Sequence, residues 1–333
     1  MGSELAMKTL RLARHAMATR FELVLHGEDD APLRAAGEEA LDEIARLEDE
    51  LSYFRVTSQI YRLNQEAAKR SVRVTPWLMR LLVKARQISI ETGGTFDITV
   101  APLMHCWGFY QRDRRVPEPE ALADARACVG MRHVELDEAD NTVRFTREGV
   151  QLDLGSIGKG YAVERAGELL REAGVSRALL HGGTSTVLAI GEPPESDRWR
   201  IAIKHPSSEA GDNPNSQLAN RMSATHLATV TLRDESLSVS AVWGKSFTAA
   251  GRIYGHIIDP RTGEPTHGAL LAAVVLPSAT ESDALSTMLL TFGPDGLGEV
   301  LRLRKGMRAL VAGSVGDGEA LRIESQGFEL HTP

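Results

Sequence analysis

Val143-Arg-Phe-Thr-Arg-Glu-Gly-Val-Gln-Leu-Asp-Leu154, then Gly155-Ser-Ile-Gly-Lys-Gly160, then Tyr161 onward to Ala173, is the stretch on which the fold reading turns. Its first part reads as a strand, its middle as a glycine-rich turn, and its last part has helical spacing. Downstream the unit is not repeated. Residues 177–190 read as strand interrupted at Gly182-Gly183, and strands are expected at 227–233, 237–240, 246–249, 254–258 and 270–276 before a helix from Ser282 to about Phe292. Runs of strand and helix without strict βα alternation predict an α+β fold, with mixed or antiparallel sheets and packed helices rather than a doubly wound parallel sheet.

Upstream, Met17 to His26 alternates as a strand with Phe21, Leu23 and Leu25 on one face. Leu41, Ile44, Leu47 and Leu51 make one stripe of a helix expected over Pro32 to Leu51, whose acids form a solvated face. Thr75-Pro76 opens a second helix that Gly93-Gly94 stops. Residues 110–125 read as an exposed excursion before another helix, and 206–225, polar and without periodicity, as a mobile loop. No internal repeat divides the 333 residues, which are read as one domain with room for two subdomains.

Bulk properties narrow the function. A net charge of -7 argues against sequence-independent nucleic-acid binding, which needs a cationic face. Cys106 and Cys128 lack metal-ligand spacing and read as plain buried thiols. No apolar run reaches the roughly 18 residues of a spanning helix, and none of signal-peptide length follows Met1. The expected location is therefore cytoplasmic, with an exported form that has shed a leader left open.

Three segments carry candidate chemistry. The turn Gly155–Gly160 sits where a strand hands over to a helix, a place where free N–H groups and the helix dipole favour an anion. Its spacing is neither a P-loop nor GxGxxG, so a plain tight turn with Lys159 in solvent is the competing reading. Asp153 either bonds a ligand or caps the turn. In His256-Ile-Ile-Asp259-Pro-Arg261-Thr-Gly263, an imidazole, a carboxylate and a guanidinium gather at a strand end and the turn after it. Asp283 and Thr287, one helical turn apart, offer hard oxygen ligands suited to Mg²⁺ beside phosphate; the ordinary alternative is helix capping by Ser282 or Asp283.

Taken in order, these segments resemble the FAD:protein FMN transferase (ApbE-like flavin transferase) family. The resemblance runs through Met17-Ala-Thr19, Leu51-Ser-Tyr-Phe-Arg55 with Ser58 and Leu63-Asn64, and Thr92-Gly-Gly-Thr-Phe-Asp97 through Pro102 to Trp107-Gly108. It continues through Leu152 to Ala162, His181-Gly182-Gly183, His256 to Gly263, and Ser282 to Thr287. It implies an ApbE-like, T-fold-related architecture and an enzyme that moves FMN from FAD onto a threonine of an acceptor protein, releasing AMP. By the same resemblance FAD contacts Met17, Phe54, Thr95, Phe96, Asp97, Asp153, Lys159 and Tyr254. Mg²⁺ is held by the main-chain oxygen of Ser156, by Asp283 and Thr287, and additionally by Thr280. His256, Asp259 and Asp283 are the catalytic candidates. Two alternatives stay open: a metal-dependent FAD pyrophosphatase, with water as acceptor, and a non-catalytic FAD-binding protein. The chain departs from the family at Val239-Ser240-Ala241 (usually Thr-Ser-Gly), at Ala18 (usually Gly) and at Gly158 (usually Ala).

Overall fold

The computed structural model describes residues 7–111, 113–206, 226–242, 246–315 and 320–331. Apart from Pro206, the loop expected over 206–225 lies outside them. A hairpin of β1 (Lys8–Ala16) and β2 (Thr19–Gly27) leads into α1 (Asp30–Leu51), α2 (Gln59–Glu66), β3 (Val72–Arg73), α3 (Pro76–Glu91), α4 (Ala101–Cys106) and α5 (Pro119–Ala127). Then come β4 (Val134–Asp137), β5 (Thr142–Phe145), α6 (Gly158–Glu172), β6 (Ala178–Gly182), β7 (Thr186–Ile190), β8 (Trp199–Lys204) and β9 (His226–Leu232). The remainder is β10 (Ser236–Ala241), β11 (Ser246–Ala249), β12 (Arg252–Gly255), β13 (Leu271–Leu276), α7 (Ala279–Phe292), α8 (Leu297–Leu301), β14 (Arg308–Val315), β15 (Ala320–Gln326) and β16 (Glu329–Leu330).

Eight strands form one sheet in the order β1-β2-β6-β7-β10-β13-β14-β15, and every neighbouring pair is antiparallel. Helices α1, α6 and α7 pack on one face, while the three-stranded sheet β16-β9-β8 covers part of the other. This layering explains β13, whose Leu271-Ala-Ala-Val-Val-Leu276 is apolar at every position. Ala272, Val274 and Leu276 enter the core under the helices. Leu271, Ala273 and Val275 enter the core against the small sheet. A strand covered on both faces has no reason to alternate. A third, smaller cluster holds Leu103, Trp107, Phe109, Val129, Tyr254 and Ile258.

Several expected boundaries move. Met17 and Ala18 are not strand but the two-residue turn of the β1–β2 hairpin, since Ala16 pairs with Thr19. The ladder expected over 143–154 stops at Phe145; at Leu152 the Asn64 side chain replaces a partner strand, donating to the Leu152 carbonyl (2.9 Å) and accepting its N–H (2.7 Å). The strand expected to reach 258 ends at Gly255, so His256 lies in the loop beyond it. The last long helix begins at Ala279 with Ser278 as its cap, whose Oγ accepts from the Glu281 N–H. Asp283 is therefore a full turn inside the helix and caps nothing. Cys106 and Cys128 are free but only half-buried, not buried. No helix among the described residues is long and apolar enough to cross a membrane.

Candidate active site

The glycine turn and the helix bearing Asp283 meet directly. Gly160 N–H donates to Asp283 Oδ2 at 2.8 Å. Gly160 is the third residue of α6, where N–H groups have no acceptor within the helix, so the Asp283 carboxylate satisfies one of these open donors. The approach demands glycine: a Cβ at 160 would stand 2.3 Å from the Ala279 oxygen. Asp283 is 4% exposed. Burial pushes its carboxyl above the ordinary range, opposed by the Lys159 ammonium and the Gly160 N–H. A buried acid of this kind is short of positive charge, which is the condition a cation would relieve.

The donors around it are hard oxygens. Thr287 Oγ1 lies 3.1 Å from Ser240 Oγ, which also meets Ser286 Oγ at 2.8 Å. Thr280 Oγ1, on the same side of α7 one turn before Asp283, is buried with no hydrogen-bond partner among the described residues. No cluster of three or more His, Cys, Asp or Glu side chains among them suits a metal. One carboxylate, two hydroxyls and a carbonyl fit Mg²⁺, which keeps water or phosphate oxygens in its shell, and do not fit a softer ion. Glu164 of α6 sets the end of α7, its Oε2 accepting from Ser278 Oγ (2.6 Å) and from the Thr280 N–H (2.9 Å).

From this centre a line of contacts reaches the N-terminal motif. Val239 N–H donates to Ser185 O at 2.7 Å, and Gly183 N–H to Arg20 O at 2.9 Å. A Cβ at Gly183, where φ is +60°, would strike Thr19 Oγ1. The Met17–Thr19 and Gly182-Gly183 motifs therefore sit side by side. Ala241 closes β10 opposite Leu271 and is not among the residues with positive φ, so the loss of the usual glycine there introduces no backbone strain.

On the other flank, Asp153 N–H donates to Ile98 O at 2.7 Å, joining the turn to the segment that carries Thr95, Phe96 and Asp97. Asp153 Oδ1 accepts from the Gly155 N–H at 2.8 Å, so it does cap the turn, while its other oxygen accepts from the Tyr110 hydroxyl. Asp97 is filled by protein donors: Ser89 Oγ, Thr99 Oγ1 and the N–H groups of Thr99 and Met131. It holds its loop together. Thr95 is buried, and its hydroxyl has no partner among the described residues. Of the three aromatics expected near the ligand, Phe54 is 64% exposed, whereas Phe96 is 1% and Tyr254 8% exposed, with rings in the core.

His256, half-buried, precedes a tight turn in which Asp259 N–H donates to Glu264 O and Gly263 N–H to Asp259 O. Asp259 is gripped by Arg261 through Nε (3.0 Å), a terminal nitrogen (2.7 Å) and the backbone N–H (2.9 Å). That pairing raises the Arg261 pKa. Trp107 Nε1 donates to Gly263 O at 2.8 Å, tying this turn to the Trp107-Gly108 motif. The separation of the partners hid Tyr53, His105, Tyr110, Gln151, Glu164 and Ser240 from functional reading; only their neighbourhood in the motifs pointed to them.

Fold and site together define an α+β protein in which a glycine-rich turn at a helix start abuts a buried carboxylate on a neighbouring helix. Residues 17–311 match the ApbE family, and the chain belongs to it. It is similar to the FAD:protein FMN transferase of Klebsiella pneumoniae (strain 342), 30% identical over 295 residues covering 86% of this chain and 79% of that one. The Escherichia coli (strain K12) protein of the same name is 27% identical over 272 residues, 80% of this chain and 73% of that one. Among solved structures, the Pseudomonas stutzeri flavinyl transferase ApbE in its apo form superposes with a TM-score of 0.81 at 26% identity, covering 97% of this chain and 96% of that one. The ApbE protein of Thermotoga maritima does so at 0.81 and 26%, covering 95% and 96%. The chain is accordingly an enzyme of the transferase class.

Proposed function

We propose that this protein transfers FMN from FAD to a threonine hydroxyl of an acceptor protein, with Mg²⁺ bound at Asp283, Thr287 and the Ser156 carbonyl, and Thr280 as a further oxygen. The observation that carries this reading is the 2.8 Å bond from Gly160 to Asp283, which sets the anion-binding turn against the helix of oxygen donors. In the reaction the threonine oxygen bonds to the phosphorus on the FMN side of the pyrophosphate, the bridging P–O bond breaks, and AMP leaves with the electron pair. The cation, when bound, neutralises phosphate charge. The Lys159 ammonium, at the start of α6 where the helix dipole favours an anion, holds the diphosphate. His256 takes the threonine proton, and the Asp259–Arg261 pair fixes the turn that carries it. Phe54 offers an open ring to one of the ligand's planar systems. Met17, Thr95 and Asp153 line the approach; Asp97, Phe96 and Tyr254 shape it from the core side.

The test is incubation with FAD, Mg²⁺ and a threonine-bearing acceptor peptide, reading AMP release and the mass of the peptide. AMP with an FMN adduct supports transfer. FMN and AMP without any adduct identify water as the acceptor, and FAD bound but intact with every acceptor removes the enzymatic reading. Asp283→Ala abolishes turnover on the first two outcomes.

A further inference from the structure

Beneath the exposed ring of Phe54 lies a side-chain network that none of the motifs anticipates. Tyr53 stacks on Tyr110 with centroids 4.6 Å apart and an interplanar angle of 26°. His105 meets Tyr110 edge-on at 4.8 Å, and Phe54 meets Tyr53 at 5.1 Å and Tyr110 at 5.3 Å, again edge-on. The Tyr53 hydroxyl donates to Gln151 Oε1 at 2.8 Å. Its one proton being so used, it accepts at the 2.6 Å contact with His105 Nε2, which fixes the imidazole as the Nε2–H tautomer. Burial, with the Asp153 charge second, pushes Tyr53 up to about 12. Burial also pulls His105 below its ordinary value, so both are neutral at physiological pH. Tyr110 is driven upward by burial and then by Asp153, and it remains a phenol that donates.

Asp153 is thus the single charged terminus of a neutral, mutually fixed group. With Oδ1 taken by the Gly155 N–H and Oδ2 by Tyr110, the carboxylate cannot rotate without losing one of two charge-assisted bonds. A carboxylate is an acceptor only, so what it can recognise is a hydroxyl or N–H group of the ligand. We infer that Tyr110 is a positioning residue that aims Asp153 at a hydroxyl- or N–H-bearing part of the dinucleotide, and that Tyr53 and His105 hold the Tyr110 ring in place. The inference rests on the reading of FAD as substrate. It makes the network a determinant of how tightly FAD is held, and leaves the breaking of the pyrophosphate to the Asp283 side of the site.

The test compares Tyr110→Phe, which keeps the ring and deletes the donor, with His105→Ala, His105→Gln and Asp153→Asn. FAD affinity is read by flavin fluorescence and KM, turnover by AMP release, and folding by thermal melting. Tyr110→Phe is expected to raise the KM for FAD by about 5- to 10-fold, as the loss of one charge-assisted hydrogen bond implies, with a much smaller change in kcat. His105→Ala is expected to move KM the same way, and His105→Gln, which retains an N–H donor, to restore it. A lowered melting temperature with unchanged KM in Tyr110→Phe makes the network merely structural and overturns the inference. So does an unchanged FAD affinity in Asp153→Asn while wild type transfers FMN, which leaves the transferase reading intact. Wild type that neither binds nor cleaves FAD removes both.

Discussion

Gly160→Ala puts the central contact to the test. The added Cβ would lie 2.3 Å from Ala279 O, 2.9 Å from its carbonyl carbon and 2.6 Å from Asp283 Cβ, where packed atoms prefer about 3.5 Å or more. Two of these neighbours are backbone, so no side-chain rotation relieves the clash, and α6 and α7 must part by roughly 1 Å. Overpacking of this kind costs about 1–3 kcal/mol. Parting the helices also stretches the Gly160 N–H bond to a buried carboxylate, worth a further ~1–3 kcal/mol. Alanine's better helix propensity returns at most about 1 kcal/mol. Because the two penalties share one cause they do not add fully, and a net loss near 2–4 kcal/mol is expected. Gly158→Ala is the control: its Cβ would sit 3.8 Å from Leu154 Cβ and from Leu51 Cδ1, an ordinary contact. The assay is thermal melting of both variants alongside AMP release at a temperature where both are folded. Gly160→Ala should melt several degrees lower and lose at least about tenfold in turnover, with Gly158→Ala close to wild type in both. A Gly160→Ala protein that melts and turns over like wild type refutes the claim that this contact builds the site.

Three further outcomes are expected. Met17 and Ala18 have φ of 49° and 58°, a left-handed pair that costs non-glycine residues about 1–2 kcal/mol each; after the entropy glycine adds to the unfolded chain, Ala18→Gly should stabilise by ~0.5–1 kcal/mol in denaturant unfolding, and a loss of stability would contradict the turn geometry. Glu164→Ala removes the acceptor for Ser278 Oγ and the Thr280 N–H and should cost about 1–2 kcal/mol by calorimetry, with turnover falling because the helix that carries Asp283 loses its anchor. Glu281 resists the upward push of burial because Arg304 and Lys84 bind it, leaving its carboxyl below the ordinary range; in the folded chain it holds its proton more weakly than in the unfolded one, so its contribution is complete above about pH 4.3 and is lost as pH falls through the lower folded value. Glu281→Gln should therefore lower the melting temperature at pH 7 and leave it unchanged near pH 2–3, and an equal loss at both pH values would show that charge is not the cause.

How much of this was legible before the structure depends on where the interaction lies along the chain. The α1 stripe Leu41, Ile44, Leu47 and Leu51 is buried as its spacing requires, because helix period is a local property that burial reads directly. The strand alternation of Phe21, Leu23 and Leu25 likewise appears as three fully buried side chains. The first strand escaped notice because Lys8–Ala16 lies at the sheet edge and carries arginine at 11 and 14, as exposed edges do. The extended run at Leu152 misled for the opposite reason. Its backbone is satisfied like a strand's, but by the Asn64 side chain 88 residues away, a pairing that leaves no periodic trace.

The same distinction governs the site. Asp283 stood between two readings, a helix cap and a ligand-facing carboxylate, and local sequence cannot separate them, because Ser278, Ser282 and Asp283 are all residue types that start helices. The structure separates them by where the helix begins: Ser278 already serves the first turn, and Asp283, a turn later, is turned inward to the Gly160 N–H. A cap would leave that carboxylate at the surface, where its charge costs little. Inside, burial drives its pKa up, opposed by Lys159 and the Gly160 N–H, and buried acids shifted in this way gather at functional sites. Beside it, on the same helix side, the buried Thr280 hydroxyl has no hydrogen-bond partner among the described residues. The Asp283 carboxylate and the Thr280 hydroxyl thus lie one turn apart on the helix that faces the glycine turn, where a bound cation would offset the burial of the one and give a partner to the other.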